Sequence, residues 1–210
     1  MLDSVVYCRP AERQLPEHCE LLGGELVEKS IPSFEHGRIQ RRLGVFLDPF
    51  DGLPRSGAGA PDSGPGGWWL ATECEIVLTE QDRFLPDLAG WQNNRVPEMP
   101  HGRPITRTPQ WVCEILSPST AERDRGPKRD VYHRAGVFHY WIIDPVSEPG
   151  SGSLTVLERG SDAYRSVAFA RWSASEGTPT ERCVRVKPFH QIELDLAWLF
   201  DHLPLHAGQK

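Results

Sequence analysis

The first clear pattern along the chain is a stripe of apolar residues at helical spacing. Its members are Ile39, Leu43, Phe46 and Leu47. Ser33, which follows Pro32, is a suitable N-cap, and Asp48-Pro49 supplies a stop. The pattern therefore predicts one amphipathic helix, preceded by a short strand or hairpin arm over residues 25–29.

Apolar runs rich in β-branched and aromatic residues predict the strands. Four segments are interpreted as successive strands: WWLATECEIVLTE, FLPDLAGW, WVCEILSPST and FHYWIIDP. Before the fourth strand, AERDRGPKRDVYHRAGV predicts a capped turn and a helix, with Pro127 in its first turn and Gly136 at its C′ position. This strand–helix–strand unit predicts a parallel pair, whereas the tight QDR turn predicts antiparallel neighbours.

These elements predict an α/β fold with a mixed central β-sheet flanked by helices. Two later segments, GSLTVLER and AYRSVAFA, predict an extra C-terminal β-hairpin. We interpret residues 1–210 as a single domain. Residues 51–67 are rich in Gly and Pro and have no periodicity, which predicts a surface loop.

Composition narrows the function classes. The chain is 39% hydrophobic and 25% charged with a net charge of −6, so it is not a general polyelectrolyte binder, and contact with nucleic acid would need a local basic patch. It has no apolar run of roughly 18 residues and no signal-peptide pattern, and we expect a cytoplasmic protein without a membrane partner. The five cysteines are scattered and predict neither a disulfide framework nor a zinc site.

Glu114 interrupts the apolar run WVCEIL, and Asp87 follows Pro86 in the preceding strand. Neighbouring strands bring side chains on one face to within about 5 Å, so two such carboxylates repel each other and one is forced to stay protonated. A divalent cation with oxygen ligands, Mg²⁺ above all, removes this conflict. The alternatives are an arginine partner for Glu114, such as Arg103 or Arg107, and a strand cap for Asp87.

Lys128 lies on the helix that follows Glu114. Asp124, Lys128 and Tyr132 are spaced at i, i+4 and i+8, so they share one face if the helix extends back to Asp124. An ammonium group there would orient an attacking water molecule or stabilise charge on a reacting phosphate.

These residues resemble a known arrangement. PD, then ExL in a hydrophobic strand, then a lysine displaced onto the next helix, resembles the PD-(D/E)XK nuclease superfamily. The segments GELVE…H, LPDLAGW, WVCEILSPST and DRGPK…Y…AGVFHYWIIDP resemble the Uma family of bacterial putative restriction endonucleases over roughly residues 20–158. The resemblance implies a restriction-endonuclease-like fold.

The resemblance also implies roles for individual residues. Asp87 and Glu114 are the expected metal ligands, Lys128 replaces the usual motif lysine at the Leu116 position, and Glu25 completes the metal shell. The backbone carbonyl of Ile115 is a further expected ligand. His36 matches a family histidine of unassigned role, and Asp124 and Tyr132 are expected to support the site. Three arginines near the site are expected phosphate contacts: Arg123, Arg125 and Arg129.

The expected activity is Mg²⁺-dependent hydrolysis of phosphodiester bonds in DNA, with Mn²⁺ as a substitute ion. The alternative is a catalytically inactive nuclease-fold module that binds nucleic acid or protein. A metal-dependent hydrolase of a small phosphorylated substrate is a third interpretation. Paired cuts need paired sites, which makes a homodimer the natural expectation.

Overall fold

The structure is a computed structural model, and it describes residues 15–54, 64–145, 151–173 and 182–200. The strands are β1 (Cys19–Leu22), β2 (Glu25–Glu28), β3 (Trp68–Thr72), β4 (Ile76–Val77), β5 (Arg83–Phe84), β6 (Leu88–Gln92), β7 (Trp111–Ile115), β8 (His139–Asp144), β9 (Ser151–Arg159), β10 (Tyr164–Ser173), β11 (Cys183–Val184) and β12 (Leu194–Asp195). The helices are α1 (Phe34–Leu47), α2 (Ala121–Arg125), α3 (Pro127–Ala135) and α4 (Leu196–Phe200), and a 3₁₀ turn over Asp48–Phe50 follows α1. Of the predicted loop over 51–67, residues 55–63 lie outside the described residues.

A six-stranded mixed sheet forms the centre, in the order β10-β9-β8-β7-β6-β3. β7 and β8 run parallel, joined by α2 and α3, and the other neighbours are antiparallel. The hairpin of β9 and β10 extends one edge. The predicted mixed α/β sheet with an additional C-terminal hairpin is therefore confirmed.

A second sheet of four short strands, in the order β2-β1-β5-β4, lies beside the first. It shows that two predicted strands are wrong as continuous elements. WWLATECEIVLTE passes from β3 to β4 through Glu73, whose φ is 51°, and FLPDLAGW passes back from β5 to β6 through Pro86-Asp87. Because strands of both sheets bury apolar side chains, the alternation of apolar and polar residues continues where the chain passes from one sheet to the other. The sequence pattern therefore does not reveal these two transitions.

Alternate residues of β7 face two different hydrophobic cores. Trp111, Cys113 and Ile115 pack with α1 and α4 on one face of the large sheet. Val112 and Leu116 pack with α3 and the small sheet on the other face. By the two-residue period of a strand, Glu114 therefore points into the second core, between α3 and the small sheet.

The helix ends follow local rules. The Ser33 hydroxyl accepts a hydrogen bond from the N–H of His36 at the start of α1, and Gly136 closes α3 in the left-handed conformation with φ of 91°, as predicted. Within the described ranges, no helix has both the length and the apolar character that crossing a bilayer requires.

Candidate functional site

Three carboxylates meet at one end of three neighbouring strands. Leu88 of β6 pairs with Cys113 of β7, so the next step of the antiparallel register sets Asp87 opposite Glu114. On the other side, Thr72 pairs with Leu88, and the Glu73 N–H donates to the Asp87 carbonyl at 3.3 Å. The neighbourhood of Asp87 and Glu114 therefore follows from sheet register.

Glu114 has two partners on α3. Its Oε1 accepts a hydrogen bond from the Tyr132 hydroxyl at 2.7 Å and forms an ion pair with Lys128 Nζ at 2.7 Å. Arg103 pairs with Glu75 instead, so the alternative that this arginine compensates Glu114 is wrong. A buried lysine and a tyrosine therefore compensate the carboxylate that interrupts this apolar strand.

Lys128 is the centre of a buried ionic cluster. Besides Glu114, its Nζ lies 3.1 Å from Glu20 Oε1 on β1 and 3.3 Å from Asp124 Oδ1 on α2. Lys128 is only 2% exposed. Although Gly126 separates α2 from α3, Asp124 and Lys128 still meet across the break.

The electrostatics of this cluster are unequal. Burial raises the pKa of Glu114 to about 8. The charge of Lys128 lowers this pKa, but burial and the negative charges of Asp124 and Asp87 together outweigh the lysine. Burial would lower the pKa of Lys128, but the surrounding carboxylates outweigh it and hold that pKa well above its ordinary value. The lysine is therefore a permanent cation among acids that compete for it.

Asp87 lies in a second cationic environment. Its Oδ1 is 2.9 Å from Lys29 Nζ and 3.3 Å from His36 Nε2, and its Oδ2 accepts the Ile115 N–H at 2.7 Å. Burial would raise the pKa of Asp87, but the contact with His36 and the charge of Lys29 outweigh it and hold the pKa well below its usual range. The pKa values of the two neighbouring carboxyl groups are therefore shifted in opposite directions, that of Glu114 upwards and that of Asp87 downwards.

Lys29, in the segment between β2 and α1, is held by three oxygen atoms. Its Nζ donates to Glu73 Oε2 at 2.8 Å, to Asp87 Oδ1 at 2.9 Å and to the Leu85 carbonyl at 2.5 Å. Gln40 of α1 braces the same group, since its Nε2 donates to Glu73 Oε1 at 3.0 Å and to the Asp87 carbonyl at 2.9 Å.

The donor set fits a divalent cation. One ligand atom each of His36, Glu73 and Asp87 lies within 4.8 Å of the others. His36 Nε2 is buried and has no hydrogen-bond partner among the described residues, although it faces Asp87 Oδ1. A buried imidazole nitrogen and two carboxylates are the chemistry that transition ions and, through the oxygens, Mg²⁺ accept.

An open pocket of about 670 Å³ reaches this group from solvent, lined among others by Lys29, Gln40, Glu73 and Arg103. A second pocket of about 490 Å³ shares Lys29 and also contains Arg123. Lys29 thus lines both pockets and also contacts the buried Asp87, whereas Lys128 lines neither pocket.

The remaining predicted residues are placed less centrally. Glu25 is exposed on β2 and pairs with Leu22, so its predicted part in the metal shell gains no support. Ile115 contacts Asp87 through its N–H, and a role for its carbonyl stays a prediction. Arg125 is paired with Asp144 and Arg129 with Asp130, outside the two pockets, so only Arg123 of the three lines one of them.

Sequence reasoning missed Glu20, Lys29, Gln40 and Glu73. Glu20 lies on β1 and Lys29 directly follows β2, and the contacts that join these strands to β5 and to the large sheet are long-range and leave little trace in local periodicity. Glu73 carried one signal in the sequence: it precedes Cys74-Glu75 in the segment WWLATECEIVLTE, which is too long for one ordinary strand and therefore indicates a break.

Comparison with known proteins gives a match to a family model and matches to solved structures. The model of the Uma2 family, described as "Putative restriction endonuclease", matches residues 7–195. A solved structure, a putative nuclease belonging to DUF820 from Anabaena variabilis ATCC 29413, aligns with a TM-score of 0.64 and 19% identity, covering 90% of this chain and 95% of that one. No curated protein matches the chain. The structural match establishes similarity of fold.

Proposed function

The chain belongs to the Uma2 family of putative restriction endonucleases, and from that premise we propose that it is a Mg²⁺-dependent endonuclease that hydrolyses phosphodiester bonds in DNA. One observation carries the proposal: Glu73, Asp87 and Glu114 occupy the same end of three adjacent strands, with an open pocket beside them. Five carboxylates of the site share two lysines, which favours the recruitment of a further cation.

Asp87 and Glu114 remain the proposed core of the metal site, and the geometry adds His36 and Glu73 as candidate ligands. Mn²⁺ is expected to substitute for Mg²⁺. A divalent cation bound there would polarise a phosphodiester oxygen and lower the pKa of a water molecule.

The protein's own groups perform the remaining tasks. Lys128 and Tyr132 hold the Glu114 carboxylate in one orientation, so Lys128 acts as a positioning residue from behind the carboxylates. Of the three predicted phosphate-contacting arginines, Arg123 is the one that lines a pocket next to Lys29, and it is the one proposed to contact a DNA phosphate.

Cleavage assays on double- and single-stranded DNA test this function. Wild type is expected to cut with Mg²⁺ or Mn²⁺ and to be inert with a chelator. Asp87→Asn and Glu114→Gln are each expected to lower the cleavage rate roughly 100-fold or more. Loss of a residue that only supports a metal ligand already costs up to about 100-fold, and loss of a ligand itself should cost at least as much. Asp162→Asn, an exposed acid beside Ser161, is the matched control and should cut like wild type. Unchanged cleavage by both site variants would refute the proposal.

A second candidate function is a nuclease-fold module that binds nucleic acid or protein without turnover. The observation in its favour is that each of the two predicted metal ligands, Asp87 and Glu114, is already paired with a lysine. A binder of nucleic acid would show a log–log dependence of affinity on salt with no requirement for Mg²⁺, and neither variant above would change it.

A further inference from the structure

Lys29 contacts two of the three candidate metal ligands. Its ammonium touches an oxygen of each of the two carboxylates in the candidate ligand group, Glu73 Oε2 and Asp87 Oδ1, and also the Leu85 carbonyl. Three oxygen atoms converging at 2.5 to 2.9 Å on one positive centre are an oxygen cage for a cation. The cation held there is the ammonium group of Lys29, a side chain of the protein itself.

We propose that Lys29 is a built-in competitor of the divalent cation: the metal binds His36, Glu73 and Asp87 only when the Lys29 ammonium leaves them. This inference rests on the metal site of the proposed function and deepens it, because it names the group that controls occupancy of that site.

The contrast with Lys128 supports this role. Lys128 is enclosed by Glu20, Glu114 and Asp124 and its side chain is 3% exposed. The Lys29 side chain is 11% exposed, and it borders two open pockets. Of the two lysines, Lys29 is therefore the one that lies next to open space.

Competition sets the expected size of the effect. When a site is free only a fraction of the time, the apparent Kd for its ligand rises by the inverse of that fraction. If Lys29 holds the carboxylates for about nine-tenths of the time, its removal tightens metal binding roughly tenfold.

Calorimetric titration of Mn²⁺ into the folded full chain measures this effect. Lys29→Met is the first variant, and Lys29→Gln is the second, because its amide retains hydrogen-bond donors if the apolar side chain prevents folding. Lys187→Met removes an exposed lysine paired with Glu158 and controls for the loss of one charge. We expect both Lys29 variants to bind Mn²⁺ about tenfold or more tightly than wild type, and Lys187→Met to match wild type.

Amine acetylation with peptide mass mapping reports the ammonium directly. Lys29 should be protected in the metal-free protein and become reactive at saturating Mn²⁺, while exposed Lys187 reacts in both states and buried Lys128 in neither. Equal Mn²⁺ affinity in wild type and both Lys29 variants, or unchanged Lys29 labelling on metal binding, would overturn the inference and leave the metal site standing. Absence of Mn²⁺ binding in all folded proteins would overturn both.

Discussion

Replacing Lys128 by Met tests the buried ionic cluster most severely. The substitution keeps the length and apolar stem of the side chain but removes the ammonium that Glu20, Glu114 and Asp124 share. It leaves three carboxylates together in the core between α3 and the small sheet, with the Tyr132 hydroxyl still bonded to Glu114.

The magnitude follows from the burial of these groups. Breaking a buried ion pair by removing one partner typically destabilises a protein by about 3–5 kcal/mol, because the other charge is left uncompensated. Lys128 has three buried partners at 2.7 to 3.3 Å, so we expect the upper part of that range at pH 8. With an m-value of about 2 kcal/mol/M, the urea midpoint falls by roughly 2 M.

The loss depends on pH with a definite sign. Without Lys128, the folded-state pKa of Glu114 rises further above its ordinary value, because burial already raises it and the charge of Lys128 opposes that rise most strongly. A carboxyl group with a raised folded-state pKa binds more protons in the folded state, so the variant is most stable at low pH and loses stability as the pH rises through that pKa. The difference from wild type should therefore shrink at pH 6.

Urea unfolding followed by tryptophan fluorescence at pH 6 and pH 8 measures both effects. Lys187→Met, which removes an exposed lysine from a surface pair, should change stability by less than about 1 kcal/mol at either pH. A Lys128→Met midpoint within 0.3 M of wild type at pH 8 (roughly 0.6 kcal/mol by the same slope) would refute the argument, as would a loss of equal size at both pH values.

Two further predictions concern the sheet. Burial lowers the pKa of His139 to about 4, so the unfolded chain takes up the proton first as the pH falls from 6.5. The free energy of unfolding of wild type should therefore fall by about 2–3 kcal/mol by pH 4, whereas His139→Gln should not show this loss. Urea midpoints over that pH range measure the difference. Gly152→Ala should destabilise by about 1–3 kcal/mol, because the added Cβ would lie 2.4 to 2.8 Å from the Phe200 ring; a thermal midpoint equal to that of wild type would show that α4 yields without strain.

The parts of the fold that sequence predicted are those set by local patterns. The α1 stripe with its Ser33 cap, the parallel β7–β8 pair and the left-handed Gly136 each depend on residues close together in the chain. The proximity of Asp87 and Glu114 was also predictable, because it needs only that two successive apolar strands pair on a shared face.

The parts that escaped prediction depend on the second sheet. Lys29 reaches Asp87 over 58 positions and Glu73 over 44, through contacts that exist only when the small sheet docks beside the large one. The crossing at Glu73 requires a left-handed backbone at a residue other than glycine, which no local preference announces. Hence Glu73, a candidate metal ligand, and Lys29, which contacts it, could be found only from the structure.

The span of the ionic contacts has a consequence for how the chain reaches its native state. Lys128 meets Glu20 across 108 positions, and this contact closes the longest loop of the site. Contacts of such separation form after the local ones, since the entropy of loop closure opposes them until the intervening elements are in place. We therefore expect the Lys128–Glu20 pair to form only when the small sheet docks beside the large one, after β6 and β7 have already placed Asp87 opposite Glu114.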